Sequence, residues 1–526
     1  MLIYLLFIMS YVLNFIILQK SLHMLQQNLY NENNRYLKWI FKNKTVIINL
    51  SFILIILSIV FLFKQDLIIY ILFILTYLYS IYRLIAAKKL EQNKKPLVYT
   101  ARIKRLLVTI SLIYLLPLIL VYFKKPELAL LILNILVYFN FFVVFIAMLI
   151  NTPVEKMVYN HFKRLATKKL ASMNNLKVIG ITGSYGKTSS KNILNTILGV
   201  KYLSLATERS INTLNGNLIT INNQLSKFDE VYIVEMGAYV EGEITELAEL
   251  VKPKYGIITK IGLAHLETFG SEEAILRTKM ELLEFLPDDG VCILNADDPK
   301  QKEYRSRSKA RVIWIAQTNE ADFRAVNIKA SHLGTEFEVM AKGESKKHKF
   351  TTKLLGAHNV YNILAAIALG KELGLSWEEL AQGVRRIKAT PHRLELKKLG
   401  IINQIDDAYN SNPSGAKAAL DVLAMMDGKK VVVTPGMIEL GEKEAFYNKD
   451  FGRQIADVAD EVILIGRNQT KDIFDGLMEK EFPEEKIHIL NDVKESFPLL
   501  LKLKDKREIY ALYENDLPDT YTEGGK

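Results

Sequence analysis

Lys177-Val-Ile-Gly-Ile-Thr-Gly-Ser-Tyr-Gly-Lys-Thr-Ser-Ser190 decides how the rest of the chain is read. Val178 to Ile181 is an apolar, largely β-branched run of strand character. Beyond the glycines, Ile193, Leu194, Ile197 and Leu198 recur at helical spacing. Strand, glycine turn and helix in that order predict a phosphate cradle: the glycines let backbone amides approach an anion, and the helix N-terminus adds partial positive charge. Lys187 is placed to reach the β- and γ-phosphates, and the Thr188 hydroxyl to hold Mg²⁺. The position five before Gly186 is Ile181, where the general pattern has glycine. A glycine turn between strand and helix is common, so the remaining sequence has to decide.

The 526 residues suffice for about three domains. Their charge is divided unevenly. Residues 1–170 hold 21 Lys and Arg against 5 Asp and Glu, whereas residues 171–526 hold 47 against 52. The basic character therefore belongs to the N-terminal part, which argues against a nucleic-acid surface. Cys292 stands alone in the apolar run Val291 to Leu294, which excludes an internal disulfide or a cysteine metal cage and reads as a buried small hydrophobe.

Five apolar stretches, about 2–19, 45–63, 67–82, 106–123 and 128–150, approach the roughly 18–20 residues that span a bilayer as helix. The segments 20–44 and 83–105 between them are rich in lysine and arginine, so the positive-inside rule places both in the cytoplasm and the N-terminus outside. Five spans then leave everything beyond residue 150 in the cytoplasm, where ATP is. No stretch carries the acids or histidines of an ion pathway, which favours a multi-pass membrane anchor; a binding role towards a lipid-linked substrate is the second reading. Residues 151–175 read as a basic amphipathic connector at the anionic inner leaflet, or as a plain solvated linker helix.

From 176 to 392, strands alternate with helical patterns and predict a mainly parallel α/β sheet. Val231 to Glu235 is an apolar strand ending in a carboxylate, at the edge where such sheets gather ligands. His265 follows another strand, and Ser271-Glu-Glu opens a capped helix that carries Lys279. Each has a plainer reading: a strand-end acid, a satisfied loop histidine, a solvated lysine. From 393 to 526, Ile401–Ile405, Val431–Val433, Val462–Ile465, Ile487–Leu490 and Ile509–Leu512 read as short strands of a Rossmann-like domain. No G-x-G-x-x-G follows the first strand, so a dinucleotide is not its ligand.

Together, Thr182-Gly-Ser-Tyr-Gly-Lys-Thr188, Glu235-Met-Gly237, Leu263-Ala-His265-Leu-Glu-Thr-Phe-Gly-Ser271, Lys279, Asn295-Ala-Asp-Asp298, Gly356-Ala-His-Asn359-Val-Tyr-Asn362, Arg393 and Asp406-Asp-Ala-Tyr-Asn-Ser-Asn-Pro413 resemble the Mur ligase family. The last motif, with Glu439-Leu-Gly441 and with Thr207, Asn212 and Asn215, most resembles the branch that adds D-alanyl-D-alanine to a muramoyl tripeptide. The resemblance covers about residues 176–526.

It implies an ATP-dependent amide ligase of peptidoglycan synthesis working through an acyl phosphate. Gly183, Ser184, Tyr185, Gly186, Lys187, Thr188 and Ser189 would hold the ATP phosphates, and Asn359 or Asn362 would approach the adenine end. Arg393 and Asp407 would contact ATP from the third domain. Thr188 and Glu235 would hold one Mg²⁺. His265 and Lys279 would serve a second, with Lys279 carbamylated. Thr207, Asn212, Asn215, Asn410 and Asn412 would line the acceptor and amine sites. A membrane bundle stands where this branch carries a uridine-gripping domain, so uridine-linked and lipid-linked acceptors both stay open. A polyglutamate-type ligase and a non-catalytic nucleotide-sensing membrane scaffold are the alternatives.

Overall fold

The computed structural model describes all residues except 1, 29, 31–33, 44, 45, 47, 48, 91–95, 265, 410, 439 and 517–526, and the side chains of 88–90 and 267. The chain forms two compact units, one ending at His161 and the next beginning at Phe162.

The first unit is built from apolar helices. Among the described residues four are long and apolar enough to cross a membrane: Leu2–Gln27, Leu67–Ala87 within a longer helix, Ala101–Tyr122 and Asn140–Ala171. The five-span expectation is altered in two places. The second stretch forms a helix of 13 residues, Ser51–Phe63. The fifth is divided at Phe139 into Pro126–Tyr138 and Asn140–Ala171.

Buried asparagines supply a reason for that break. Asn134 accepts from Ser10 at 2.9 Å and from Tyr77 at 2.7 Å, and donates to Ser58 at 2.9 Å. Asn140 donates to Asn14 at 2.7 Å and to Tyr114 at 3.0 Å, and accepts from Ser21. Six residues along an unbroken helix would turn these two side chains about 120° apart. The break lets both reach the interior, where an unpaired amide is costly and a paired one ties helices together. The connector expected at 151–175 is mostly the second half of the helix Asn140–Ala171.

The second unit holds two sheets. In the first, β1 (Lys177–Thr182), β2 (Ser204–Ala206), β3 (Val231–Glu235), β4 (Tyr255–Ile258), β5 (Val291–Asn295) and β6 (Arg311–Ala316) run parallel in the order β2-β3-β1-β4-β5-β6. β7 (Phe323–Ser331) pairs parallel with β6, and β8 (Gly334–Ala341) and β9 (His348–Thr352) follow it antiparallel, an edge that the sequence reading did not single out. β3 is buried throughout, and the central strands read as continuous apolar runs because helices cover both faces of a parallel sheet. Helix Lys187–Leu198 packs Ile193, Leu194 and Ile197 into one core with Val360, Ile363 and Leu364 of helix Asn359–Glu372.

The second sheet has the order β10-β11-β15-β12-β13-β14, from β10 (Glu395–Leu399), β11 (Ile402–Asp407), β12 (Lys429–Thr434), β13 (Glu461–Ile465), β14 (Ile487–Leu490) and β15 (Ile509–Glu514). Only β10 is antiparallel to its neighbour; the other five are the strands expected from the sequence. An ion pair and a hydrogen bond join the two domains: Glu272 meets Lys443 at 3.1 Å and Lys260 meets Ser414 at 3.3 Å.

Candidate active site

The loop after β1 turns on two glycines of left-handed backbone, Gly183 at φ +138° and Gly186 at φ +82°. A Cβ on Gly183 would lie 2.0 Å from Thr259 Oγ1, so no other residue fits there unchanged. The loop is sewn to the loop after β4. Ser184 and Tyr185 both donate their N–H to the Lys260 carbonyl, at 2.9 and 3.3 Å, and Ser184 Oγ donates to the Gly262 carbonyl at 2.9 Å. These two amides are therefore engaged within the protein. The helix N-terminus adds the N–H groups of Lys187, Thr188 and Ser189, which have no carbonyl four residues back inside the helix and can face an anion.

Lys187 Nζ lies over this turn, donating to the carbonyls of Gly183 at 2.8 Å and Ser184 at 3.0 Å. Burial and the nearby Arg393 charge push its pKa down to about 8, with Glu235 opposing them, so it remains mostly cationic at neutral pH. One residue on, Thr188 Oγ1 donates to Glu235 Oε1 at 3.1 Å. Asn212 Nδ2 approaches the same oxygen at 3.4 Å, and Thr207 Oγ1 accepts from the Glu235 N–H at 3.3 Å. Thr188 and Glu235 thus present hard oxygens side by side, the donor set that suits Mg²⁺.

Lys191 belongs to this centre and was missed by sequence reasoning. Its side chain is fully buried, pairs with Glu235 Oε2 at 3.0 Å and donates to the Arg209 carbonyl. The local signal was its place one helical turn after Lys187, on the same face.

Lys279 lies in the buried face of helix Glu272–Phe285, whose N-terminus is capped by Ser271. Its Nζ is 3.4 Å from the Ala238 carbonyl and 5.3 Å from the Phe269 ring centroid. Burial, then the charge of Lys187, push its pKa down to about 7. His265 and Asn410 lie outside the described residues. Among the described residues no group of three His, Cys, Asp or Glu side chains is gathered for a metal.

Asn359 donates to the Leu355 carbonyl at 2.9 Å; Asn362 accepts from Ser190 at 2.9 Å, behind the glycine loop. Arg393 stacks 4.2 Å over the Tyr409 ring and feels the charges of Asp407 and Glu235, which brings the second sheet's domain to the loop. The other expected substrate residues have local duties. Thr207 is buried beside β3, its N–H on the Ile233 carbonyl at 3.1 Å, and Asn412 caps the helix Pro413–Ala424 through Gly415 N at 2.9 Å. Asn215 is exposed on the first turn of the helix Leu214–Asn223.

Residues 181–370 match the Mur ligase middle domain, and residues 392–509 match the Mur ligase glutamate ligase domain. The chain belongs to the Mur ligase family. Among Mur ligases it is 35% identical over 299 residues to the UDP-N-acetylmuramoyl-tripeptide–D-alanyl-D-alanine ligase of Bacillus subtilis, covering 55% of this chain and 63% of that one. The enzyme of the same name from Escherichia coli is 34% identical over 296 residues, covering 55% and 65%. The chain thus spans less than two thirds of the length of these two relatives. A solved Mur ligase, MurF from Acinetobacter baumannii, superposes with a TM-score of 0.61 at 27% identity, over 68% of this chain and 77% of that one.

Proposed function

We propose that the chain is a membrane-anchored, ATP-dependent amide ligase that adds D-alanyl-D-alanine to a muramoyl-tripeptide acceptor in peptidoglycan synthesis. The observation that carries this is the convergence, on one helix N-terminus, of Lys187, the Thr188–Glu235 oxygens, Lys279 and Arg393. The identities with the two D-alanyl-D-alanine ligases support the choice of substrates.

A carboxylate does not react with an amine at neutral pH, so it must first become a better acyl donor. Its oxygen attacks the γ-phosphorus of ATP and ADP leaves. The amine then attacks the acyl phosphate, loses a proton, and expels phosphate. The helix N-terminal amides and Lys187 would bind and orient the phosphates as charge builds on their oxygens. Mg²⁺ held by Thr188 and Glu235 would supply further neutralisation of that charge. A second Mg²⁺ would rest on His265 and Lys279.

Lys279 suits that role only if its cation is removed. With a pKa near 7, a substantial fraction is neutral amine at physiological pH. The neutral amine adds to the carbon of CO₂ and releases a proton, and the resulting carbamate offers anionic oxygen ligands. Asn359, Asn362 and Asp407 would complete the ATP contacts. Thr207, Asn212, Asn215, Asn410 and Asn412 would shape the acceptor and amine sites, Thr207 acting through the loop it anchors. The apolar helices would hold the enzyme in the cell membrane, N-terminus outside and ligase unit in the cytoplasm, beside either a uridine-linked or a lipid-linked acceptor.

The test is phosphate release from ATP by the full-length protein in detergent or nanodiscs. Turnover should require both D-alanyl-D-alanine and a muramoyl tripeptide, uridine-linked or lipid-linked. Turnover with glutamate in place of the dipeptide would replace this reading by a polyglutamate-type ligase. Tight ATP binding with no turnover on any pair would leave a nucleotide-sensing scaffold.

A further inference from the structure

β11 and β15 are parallel neighbours, and their register sets Asp407 beside Glu514 at the strand ends. Glu514 is 1% exposed. One of its oxygens accepts from Ser411 Oγ at 2.6 Å; among the described residues no donor reaches the other, Oε2. The Asp407 carboxyl lies within hydrogen-bonding reach of Glu514, while Asp407 Oδ1 accepts the Leu394 N–H at 3.2 Å. Arg393, the residue before Leu394, is a cation whose charge both acids feel without a direct ion pair to either. The neighbouring Asp406 faces elsewhere, towards His392 at 2.8 Å and Lys397 at 2.5 Å.

Two adjacent carboxyls, Glu514 buried and Asp407 part-buried, that share the field of one guanidinium carry one negative charge too many. A single shared proton removes it, leaves one carboxylate to balance the Arg393 charge, and gives the orphaned oxygen a hydrogen bond to make. We propose that Glu514 is a positioning residue that holds this proton and donates it to Asp407, which thereby, through the Leu394 N–H, holds the segment carrying Arg393 towards the nucleotide loop. The inference rests on the reading of Arg393 as an ATP contact. Burial raises both acids, Asp407 to about 6 and Glu514 well above its ordinary range, as a shared proton requires.

The test compares the full-length wild type with Glu514→Gln and Glu514→Leu. A glutamine amide keeps a donor for Asp407 and an acceptor for Ser411; leucine keeps neither. Glu514→Gln should bind ADP within about twofold of wild type, and Glu514→Leu about tenfold more weakly, the scale expected for one hydrogen bond to a charged group. Wild-type affinity should fall as alkaline pH removes the shared proton, and Glu514→Gln should not follow it. In the infrared, Glu514→Gln should remove a protonated-carboxyl band present in wild type at neutral pH. An unchanged band, or a glutamine variant as weak as the leucine one, overturns the proposal. Failure of the wild type to turn over would overturn the ligase reading instead, since neither ADP binding nor the infrared band depends on turnover.

Discussion

Lys191 and Glu235 form an ion pair of 3.0 Å in which neither side chain is more than 1% exposed. The lysine holds Oε2 and leaves Oε1 to Thr188 and Asn212, so the carboxylate has one orientation. Through the Arg209 carbonyl, the same ammonium ties the loop before the helix Leu214–Asn223 to this carboxylate.

Lys191→Met removes the cation while keeping most of the volume. Breaking a buried pair on one side leaves an uncompensated charge and costs about 3–5 kcal/mol. Denaturant unfolding of the second unit should shift by that amount, and phosphate release should fall with it. A variant of wild-type stability and turnover would show the pair to be incidental.

Gly183→Ala tests the loop. The new methyl would meet Thr259 at 2.0 Å with φ at +138°, so the turn has to move by an ångström or more. Displacement of that size in a phosphate-orienting loop costs about a hundredfold in turnover. Steady-state kinetics should show this loss, whereas near-native rates would mean that the loop does not hold the phosphates.

Lys279→Ala should lower turnover by at least about a hundredfold, the scale of losing an electrostatic stabiliser. A short carboxylate such as acetate should restore part of it by replacing the carbamate oxygens. Full activity without additive would remove Lys279 from the chemistry.

His358 gives a pH signature. Burial pushes its pKa from 6.5 down to about 4. Between those values the unfolded chain binds a proton that the folded chain refuses, so stability is lost as pH falls from 6.5 towards 4. His358→Gln should flatten this part of the melting-temperature profile. An unaltered slope in the variant would assign the acid sensitivity to other groups.

Legibility followed the range of the interactions. The glycine loop, the Ser271 cap and the five C-terminal strands left local marks, because turn chemistry and burial act within a few residues. β7 to β9 left weaker ones: residues such as Lys329 and Lys349 mix exposed polar positions into strands with one open face. The break at Phe139 is invisible to hydropathy, since both flanking helices are apolar. Lys191 with Glu235 and Asp407 with Glu514 are contacts across sequence separations that no local pattern encodes. Glu235 and Asp407 are marked as site residues by the resemblance, but their partners Lys191 and Glu514 are set beside them only when the fold brings them together.

The central claim is that the acceptor carboxylate is activated by transfer of the γ-phosphoryl group. A muramoyl tripeptide with heavy oxygen in its terminal carboxylate, turned over with ATP and D-alanyl-D-alanine, tests it by the mass of the released phosphate. One heavy oxygen is expected in each phosphate, carried from the carboxylate when the acyl phosphate is broken. Phosphate released without the label, alongside amide product, would contradict it.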